Sequence, residues 1–259
     1  MLTRVFDGEL GGRAPAELVV EEPLEIRLDD QLVATTMRTP GHDFELAVGW
    51  CQAEGLLDGD PVETVRYCAT GSAVETKFNV VSVSTGGRSA GLVQARLGST
   101  TASCGLCGST AIDELIERIA PLREPIRFDP AVLAAIPDRV RAQQPLFDAT
   151  GAVHAAAAFD ADGQVVVVRE DIGRHNAVDK VVGNLVLAGT VPASGLGLSV
   201  SGRASFEMVQ KAWAAGFSTV VAVSAPSALA VEVARRAGIT LAGFARGGAL
   251  RFYSGDNVE

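Results

Sequence analysis

The sequence lacks any apolar run long enough to span a bilayer, and no signal-peptide pattern sits at Leu2-Thr3-Arg4-Val5. No membrane partner is therefore expected, and the expected location is the cytoplasm. Aromatic residues are scarce, 5 % against an apolar fraction of 47 %, so the core must be built from Val, Leu and Ala. Cations are outnumbered, with 22 Lys and Arg against 31 Asp and Glu for a net charge of −9. That excludes general nucleic-acid binding through a basic face but leaves a local anion site open. Neither Gly-x-x-x-x-Gly-Lys-Ser/Thr nor Gly-x-Gly-x-x-Gly occurs, which disfavours a P-loop ATPase and a dinucleotide dehydrogenase. None of His42, His154 and His175 has Glu two residues on, and Ser103 stands where a zinc deaminase places proline before its first cysteine. Deaminase catalysis is set aside on those grounds. Four cysteines in a cytosolic chain of 259 residues are no disulfide framework; they suit metal or redox-type chemistry.

What is present is organised around Ser103-Cys104-Gly105-Leu106-Cys107-Gly108. Behind this loop comes an amphipathic run, Ser109 to Ile119, with Ile112, Leu115, Ile116 and Ile119 on one face and Ser109 or Thr110 as N-cap. The pair thus feeds a helix N-terminus, whose dipole favours thiolate over thiol. The spacing alone suits zinc, a disulfide redox couple or a thiol that carries sulfur. Zinc needs two further ligands, and Cys51 and Cys68, placed in a predicted helix and strand, read as small buried hydrophobes. No metal site is expected.

Along the chain, Leu18–Val20, Leu24–Leu28 and Leu32–Arg38 read as strands, the last two as a hairpin. A helix is predicted from Phe44 to about Leu57, then strands at Val62–Tyr67 and Lys77–Ser84. Pro121, Pro125, Pro130 and Pro137 punctuate a linker with short helices, one of them at Arg139–Gln144. This divides the chain into an N-terminal α+β part, 1–120, and a C-terminal α/β part, 121–259, unless one domain runs through 18–253. The second half reads as a hairpin, Val153–Phe159 and Val165–Arg169. Helices at Ala177–Ala188, Ser205–Ala215 and Ser227–Ala237 then alternate with strands at Leu196–Ser201, Thr219–Ser224 and Ile239–Phe244. Leu250–Tyr253 is an edge strand. Such alternation means α/β with a parallel core.

Two groups of residues suggest binding. The segment Val168-Arg169-Glu170-Asp171-Ile172-Gly173-Arg174-His175-Asn176-Ala177-Val178-Asp179-Lys180 crowds charge between an apolar strand and a helix, where α/β folds bind ligands. Arg174 and His175 are its candidate ligand contacts; a solvated, ion-paired turn is the rival. In addition, Ser201-Gly202-Arg203, Ser224 and Phe244-Ala245-Arg246-Gly247-Gly248-Ala249 follow three successive strands. Small residues and arginine there suit an anionic ligand lying across the sheet edge; plain helix capping is the rival. His42 and His154, each beside a glycine turn, read as structural.

In the order TPGHDFELAVGW, SCGLCG, FDATGAVHAAA, VREDIGRHNAVDKVVG, SGRASFEMVQKAWAAG, VSAPSALAVEVA and LAGFARGG, these motifs closely resemble the FdhD family of sulfur carriers needed for formate dehydrogenase activity. The resemblance implies a cytidine-deaminase-like three-layer α/β/α fold without zinc, an additional smaller β-rich part, and a homodimer. It implies sulfurtransferase activity, with a cysteine desulfurase as donor and Cys104 as persulfide bearer assisted by Cys107. The molybdenum or tungsten bis(pyranopterin guanine dinucleotide) cofactor would be the bound substrate, and formate dehydrogenase the recipient of the finished cofactor. The resemblance also implies that a guanine nucleotide can occupy the cofactor's site at the segment Phe244–Ala249.

Overall fold

The computed structural model describes residues 1–68, 72–92 and 120–255. The Cys104 and Cys107 loop and the helix expected after it lie outside the described residues.

The larger sheet takes the strands β7 (His154–Phe159), β8 (Val165–Asp171), β9 (Gly197–Val200), β10 (Thr219–Ala222), β11 (Thr240–Arg246) and β12 (Ala249–Ser254). Their spatial order is β12-β11-β10-β9-β7-β8. β9, β10 and β11 are parallel, while β7 runs antiparallel to both neighbours and β12 is antiparallel to β11. β7 shows why this sheet is internal. Its sequence is almost pure alanine, yet Ala156 and Ala158 belong to one apolar cluster and Ala155, Ala157 and Phe159 to another on the opposite face. A strand covered on both sides needs no polar alternation.

Four helices form the outer layers. On one face lie α4 (Arg174–Leu187), α5 (Phe206–Ala215) and α6 (Ala228–Ala237); on the other lies α2 (Pro130–Arg141), through Leu133, Ile136 and Val140. The three-layer α/β/α expectation holds. Gly216 and Gly238 end α5 and α6 with φ of 82° and 72°, the left-handed geometry that stops a helix. Among the described residues no helix is long and apolar enough to cross a membrane.

The smaller sheet has the order β4-β3-β6-β5, from β3 (Glu22–Leu28), β4 (Gln31–Arg38), β5 (Thr64–Tyr67) and β6 (Val80–Ser84). Its apolar face covers α1 (Asp43–Ala53), and α1 in turn crosses α4. The crossing has no room for side chains. A Cβ on Gly49 would stand 1.8 Å from the Asp179 carbonyl oxygen, and one on Gly183 1.8 Å from that of Glu45. Backbone therefore rests on backbone. Cys51, on the sheet-facing side of α1, is fully buried, and Cys68 nearly so.

Several expectations are corrected. No strand forms at 18–20; instead β1 (Leu2–Asp7) and β2 (Glu9–Pro15) make an isolated hairpin ahead of it. Arg139–Gln144 is not a helix of its own: α2 runs from Pro130 to Arg141, with Asp129 capping the Ala131 amide at 2.7 Å and Pro130 in the first turn. A further helix, α3 (Pro145–Thr150), follows it. α1 stops at Ala53 rather than near Leu57, and α4 begins at Arg174, a turn earlier than its apolar periodicity suggests.

Gly49→Ala is expected to lower unfolding free energy by about 3 kcal/mol or more, since neither backbone can give way without separating the helices. Gly12→Ala, whose Cβ would meet nothing within 4 Å, should change it by no more than about 0.5 kcal/mol. Urea denaturation monitored by circular dichroism compares the two.

Candidate functional site

Most of the charge in Arg169–Lys180 turns inward. Asp171 is completely buried and accepts from the amides of Thr39 (3.1 Å) and Gly173 (2.8 Å) and from Asn176 Nδ2 (3.0 Å). Lys180 Nζ, 1 % exposed, sits 2.7 Å from its Oδ2 and donates to the Thr39 carbonyl at 2.9 Å. Asn176 also donates to the Met37 carbonyl. Arg169 makes a two-pronged pair with Glu45, which Asn184 joins at 3.0 Å. Burial pushes the Glu45 carboxyl up, but the Arg169 and Asn184 hydrogen bonds outweigh it and hold Glu45 low. Asp179 pairs with Lys211 at 2.6 Å. Glu170 accepts from the Leu146 and Phe147 amides, at 2.9 and 2.8 Å, and so caps α3. This segment is thus the clamp between the two sheets. The ion-paired reading is right about the pairing and wrong about solvation, because the pairs are buried.

Arg174 and His175 remain near the surface, on the first turn of α4. His175 Nε2 is 2.9 Å from Glu207 Oε2, and Ser205 Oγ donates to the same oxygen at 3.2 Å. The His175 hydrogen bond is the main reason the Glu207 carboxyl is held down at about 2. Arg174 Nε is buried without a hydrogen-bond partner among the described residues.

Beside this first turn the strand ends enclose a cavity of about 560 Å³, within the range of roughly 300–1,000 Å³ usual for small-ligand sites. Ser199 and Ser201 come to it from the end of β9, Val223 from β10, and Ala245 and Arg246 from β11. Helices α2 and α3 close the far side with Val140, Arg141, Gln144 and Phe147. His154, at the start of β7, completes the wall. Ser201 Oγ accepts the Ala155 amide at 2.9 Å and lies 3.3 Å from His154 Nδ1. The direction of that second contact follows the tautomer of the ring. Burial, with Arg174 and His175 nearby, holds the His154 pKa below its ordinary value, so the ring is neutral at neutral pH.

Of the sequence candidates, Ser201, Ala245 and Arg246 line this cavity. Gly202 adjoins it: a Cβ there would be 3.6 Å from His154 and 3.8 Å from Arg174. Ser224 links the strand ends through its backbone, donating to the Gly202 carbonyl and accepting from the Phe244 amide. Arg203 is exposed and is not part of the cavity wall. Phe244, at φ 52°, turns its ring to the Arg251 guanidinium, 5.2 Å from the ring centre. Gly247 and Gly248 form the exposed turn into β12, which Ala249 begins. Cys104 and Cys107 are outside the described residues. Sequence reasoning missed the helical side of the cavity: Gln144 sits in a proline-punctuated stretch outside any motif, and Phe147, though it opens the motif FDATGAVHAAA, was not read as a site residue. It took His154 as structural, although the neighbouring Gly151 and Val153 were visible turn and strand signals.

A family model described as FdhD/NarQ matches residues 19–258. The chain is 47 % identical to the sulfur carrier protein FdhD of Streptomyces avermitilis, over 98 % of this chain and 92 % of that one. It is 46 % identical to the protein of the same name from Anaeromyxobacter dehalogenans, over 94 % and 88 %. A crystal structure from Desulfotalea psychrophila, provisionally described as a formate dehydrogenase accessory protein, superposes with a TM-score of 0.76 at 22 % identity, over 99 % of this chain and 96 % of that one. That last likeness is one of fold.

Two measurements test the clamp. Lys180→Met leaves the Asp171 charge buried without its cation and should cost about 3–5 kcal/mol of stability in chemical denaturation; an unchanged midpoint would show that the pair does not hold the two sheets together. Glu207 is lower in the folded than in the unfolded chain, so its stabilisation is present above about pH 4.5 and is lost as pH falls toward 2. Both side chains of the pair are over a third exposed, so the effect is small. Glu207→Gln should flatten stability against pH within that window alone.

Proposed function

The chain belongs to the FdhD/NarQ family, and from that membership we propose that it is a cytoplasmic sulfur carrier serving formate dehydrogenase. Cys104 takes sulfur from a cysteine desulfurase: its thiolate attacks the outer sulfur of the donor's persulfide, and the donor's cysteine leaves as a thiolate. The sulfur then rides as a persulfide, a reversible state of the thiol. Cys107 assists. The recipient is the molybdenum or tungsten bis(pyranopterin guanine dinucleotide) cofactor, held as substrate before its insertion into formate dehydrogenase. The working form is a homodimer.

The observation that carries this reading is the similarity, along nearly the whole chain, to proteins named sulfur carriers. The cavity supports the cargo half of it. Its volume suits one nucleotide end of the cofactor rather than the whole, and it opens at the carboxyl ends of parallel strands, where such sheets bind ligands. Arg246 brings positive charge to its wall, where Arg141 is paired with Asp148 at 2.6 Å, while neutral His154 and Ser201 bring hydrogen-bonding groups. These suit a phosphate-bearing ligand.

Intact mass spectrometry after incubation with a desulfurase and cysteine tests the carrier step. The expected product is heavier by one sulfur atom, reverts on reduction, and is absent from Cys104→Ala. A Cys104→Ala protein that still supports full formate dehydrogenase activity would leave only a cofactor-holding chaperone.

A further inference from the structure

The small sheet carries a cavity of its own, on the face turned away from α1. Val81 and Val83 of β6 enter the apolar core, so Ser82 and Ser84 point to the opposite side. There they meet Arg66 and Thr64, their cross-strand partners in β5. With Asp29 and Asp30, from the turn between β3 and β4, they line a space of about 230 Å³. Ser82 is 5 % exposed, and its Oγ is buried without a hydrogen-bond partner among the described residues. A buried hydroxyl in that state costs stability unless something supplies its partner. Arg27, which adjoins Ser82 on the β3 side, is already paired with Glu25. The side chains of Arg66 and Asp30 are exposed and have neither an ion pair nor a hydrogen bond among the described residues.

The two ends of this space carry opposite charge. Burial pushes the Asp29 carboxyl up, but hydrogen bonds from Thr85, Gly87 and Ser84 outweigh it and hold Asp29 low. Those bonds take up the roughly four acceptor sites that a carboxylate offers, which leaves none for a metal ion, and Arg66 repels a cation as well. Asp29 and Asp30 in turn repel a simple anion. Ser82, beside Arg66, and Ser84, bonded to Asp29, are about 6–7 Å apart along the strand. That leaves room between the ends for one molecule bearing both charges. The volume lies below the roughly 300–1,000 Å³ usual for drug-sized ligands, so a nucleotide does not fit.

We infer that this cavity binds a small α-amino acid as its zwitterion, with Arg66 and Ser82 Oγ donating to the carboxylate and Asp30 accepting from the ammonium. The ligand supplies the acceptor that the Ser82 hydroxyl lacks, and Asp29 adds a fixed negative charge to the ammonium end. The site reads the two charges that all α-amino acids share, while its size restricts the side chain to a few atoms. Because it lies on the small sheet, its occupancy is independent of the cavity at the strand ends.

Ligand-observed NMR titration of the full-length protein with L-alanine tests this, with propionate and ethylammonium as probes that each keep one of the two charges. Alanine should bind saturably, and each single-charge probe about tenfold or more weakly. Arg66→Gln and Asp30→Asn should each weaken alanine by about fivefold, an exposed charge giving less than a buried one. Both positions are on the surface, so both variants should keep the circular dichroism spectrum of the unaltered protein. Ser82→Ala should weaken alanine as well, yet leave the urea midpoint of the unliganded protein unchanged or higher, because it removes an unsatisfied hydroxyl. Propionate binding as tightly as alanine, or alanine binding indifferent to Arg66→Gln and Asp30→Asn, would overturn the zwitterion. A lowered midpoint in Ser82→Ala would show the hydroxyl satisfied within the protein and overturn its role. No saturable binding of alanine would overturn the site altogether.

Discussion

The contact on which the molecule turns is the crossing of α1 and α4, where Gly49 and Gly183 let two backbones touch. It brings the small sheet, through α1, against the three-layer unit that carries the cavity. Around that crossing the polar groups of two motifs interlock. Thr39, Glu45 and the Met37 carbonyl from the first half meet Asp171, Arg169, Asn176 and Lys180 from the second. Buried ion pairs of this kind are weak contributors when complete, because desolvation offsets most of the attraction, and costly when broken. Their work is to specify one arrangement. With so little side-chain volume at the crossing, a shifted packing would leave several buried charges unpaired at once.

That arrangement determines what is left for chemistry. Because Arg169, Asp171 and Lys180 are committed to the clamp and Glu170 caps α3, only the first turn of α4 faces the strand ends. The cavity beside it draws on α2–α3, the start of β7 and the ends of β8, β9, β10 and β11. Glu170 joins them physically, since the residue that fixes the start of α3 belongs to the strand leading into α4. A displacement of the clamp would therefore reach Gln144 and Phe147 through two backbone hydrogen bonds.

The parallel core from β9 to β11 was legible because each strand is a short, mostly apolar run and the two helices between them end on glycine. Less was legible of α2 and α3. Their prolines were read as linker punctuation, though Asp129-Pro130 is equally a helix-start signal, and one wall of the cavity went unseen with them. The start of α4 was hidden for a different reason. Its first residues, Arg174, His175 and Asn176, are all polar, so periodicity in apolar residues begins only at Ala177. The charged motif was visible as unusual, but partners more than a hundred residues away decide whether such a group binds a ligand or holds a fold. Strand-end residues such as Ser201 and Arg246 were legible because fold topology alone puts them there.

The inward turning of so many cations has a consequence for how a polyanion reaches this protein. With a net charge of −9, the molecule's far field repels phosphate. The Debye length is about 8 Å at physiological ionic strength, so the arginines of the cavity wall are felt only at close range. Encounter is not steered by long-range attraction, and moderate salt should hasten it by screening the repulsion. Such a surface is poorly suited to capturing a free anion from dilute solution and better suited to receiving one by direct handover.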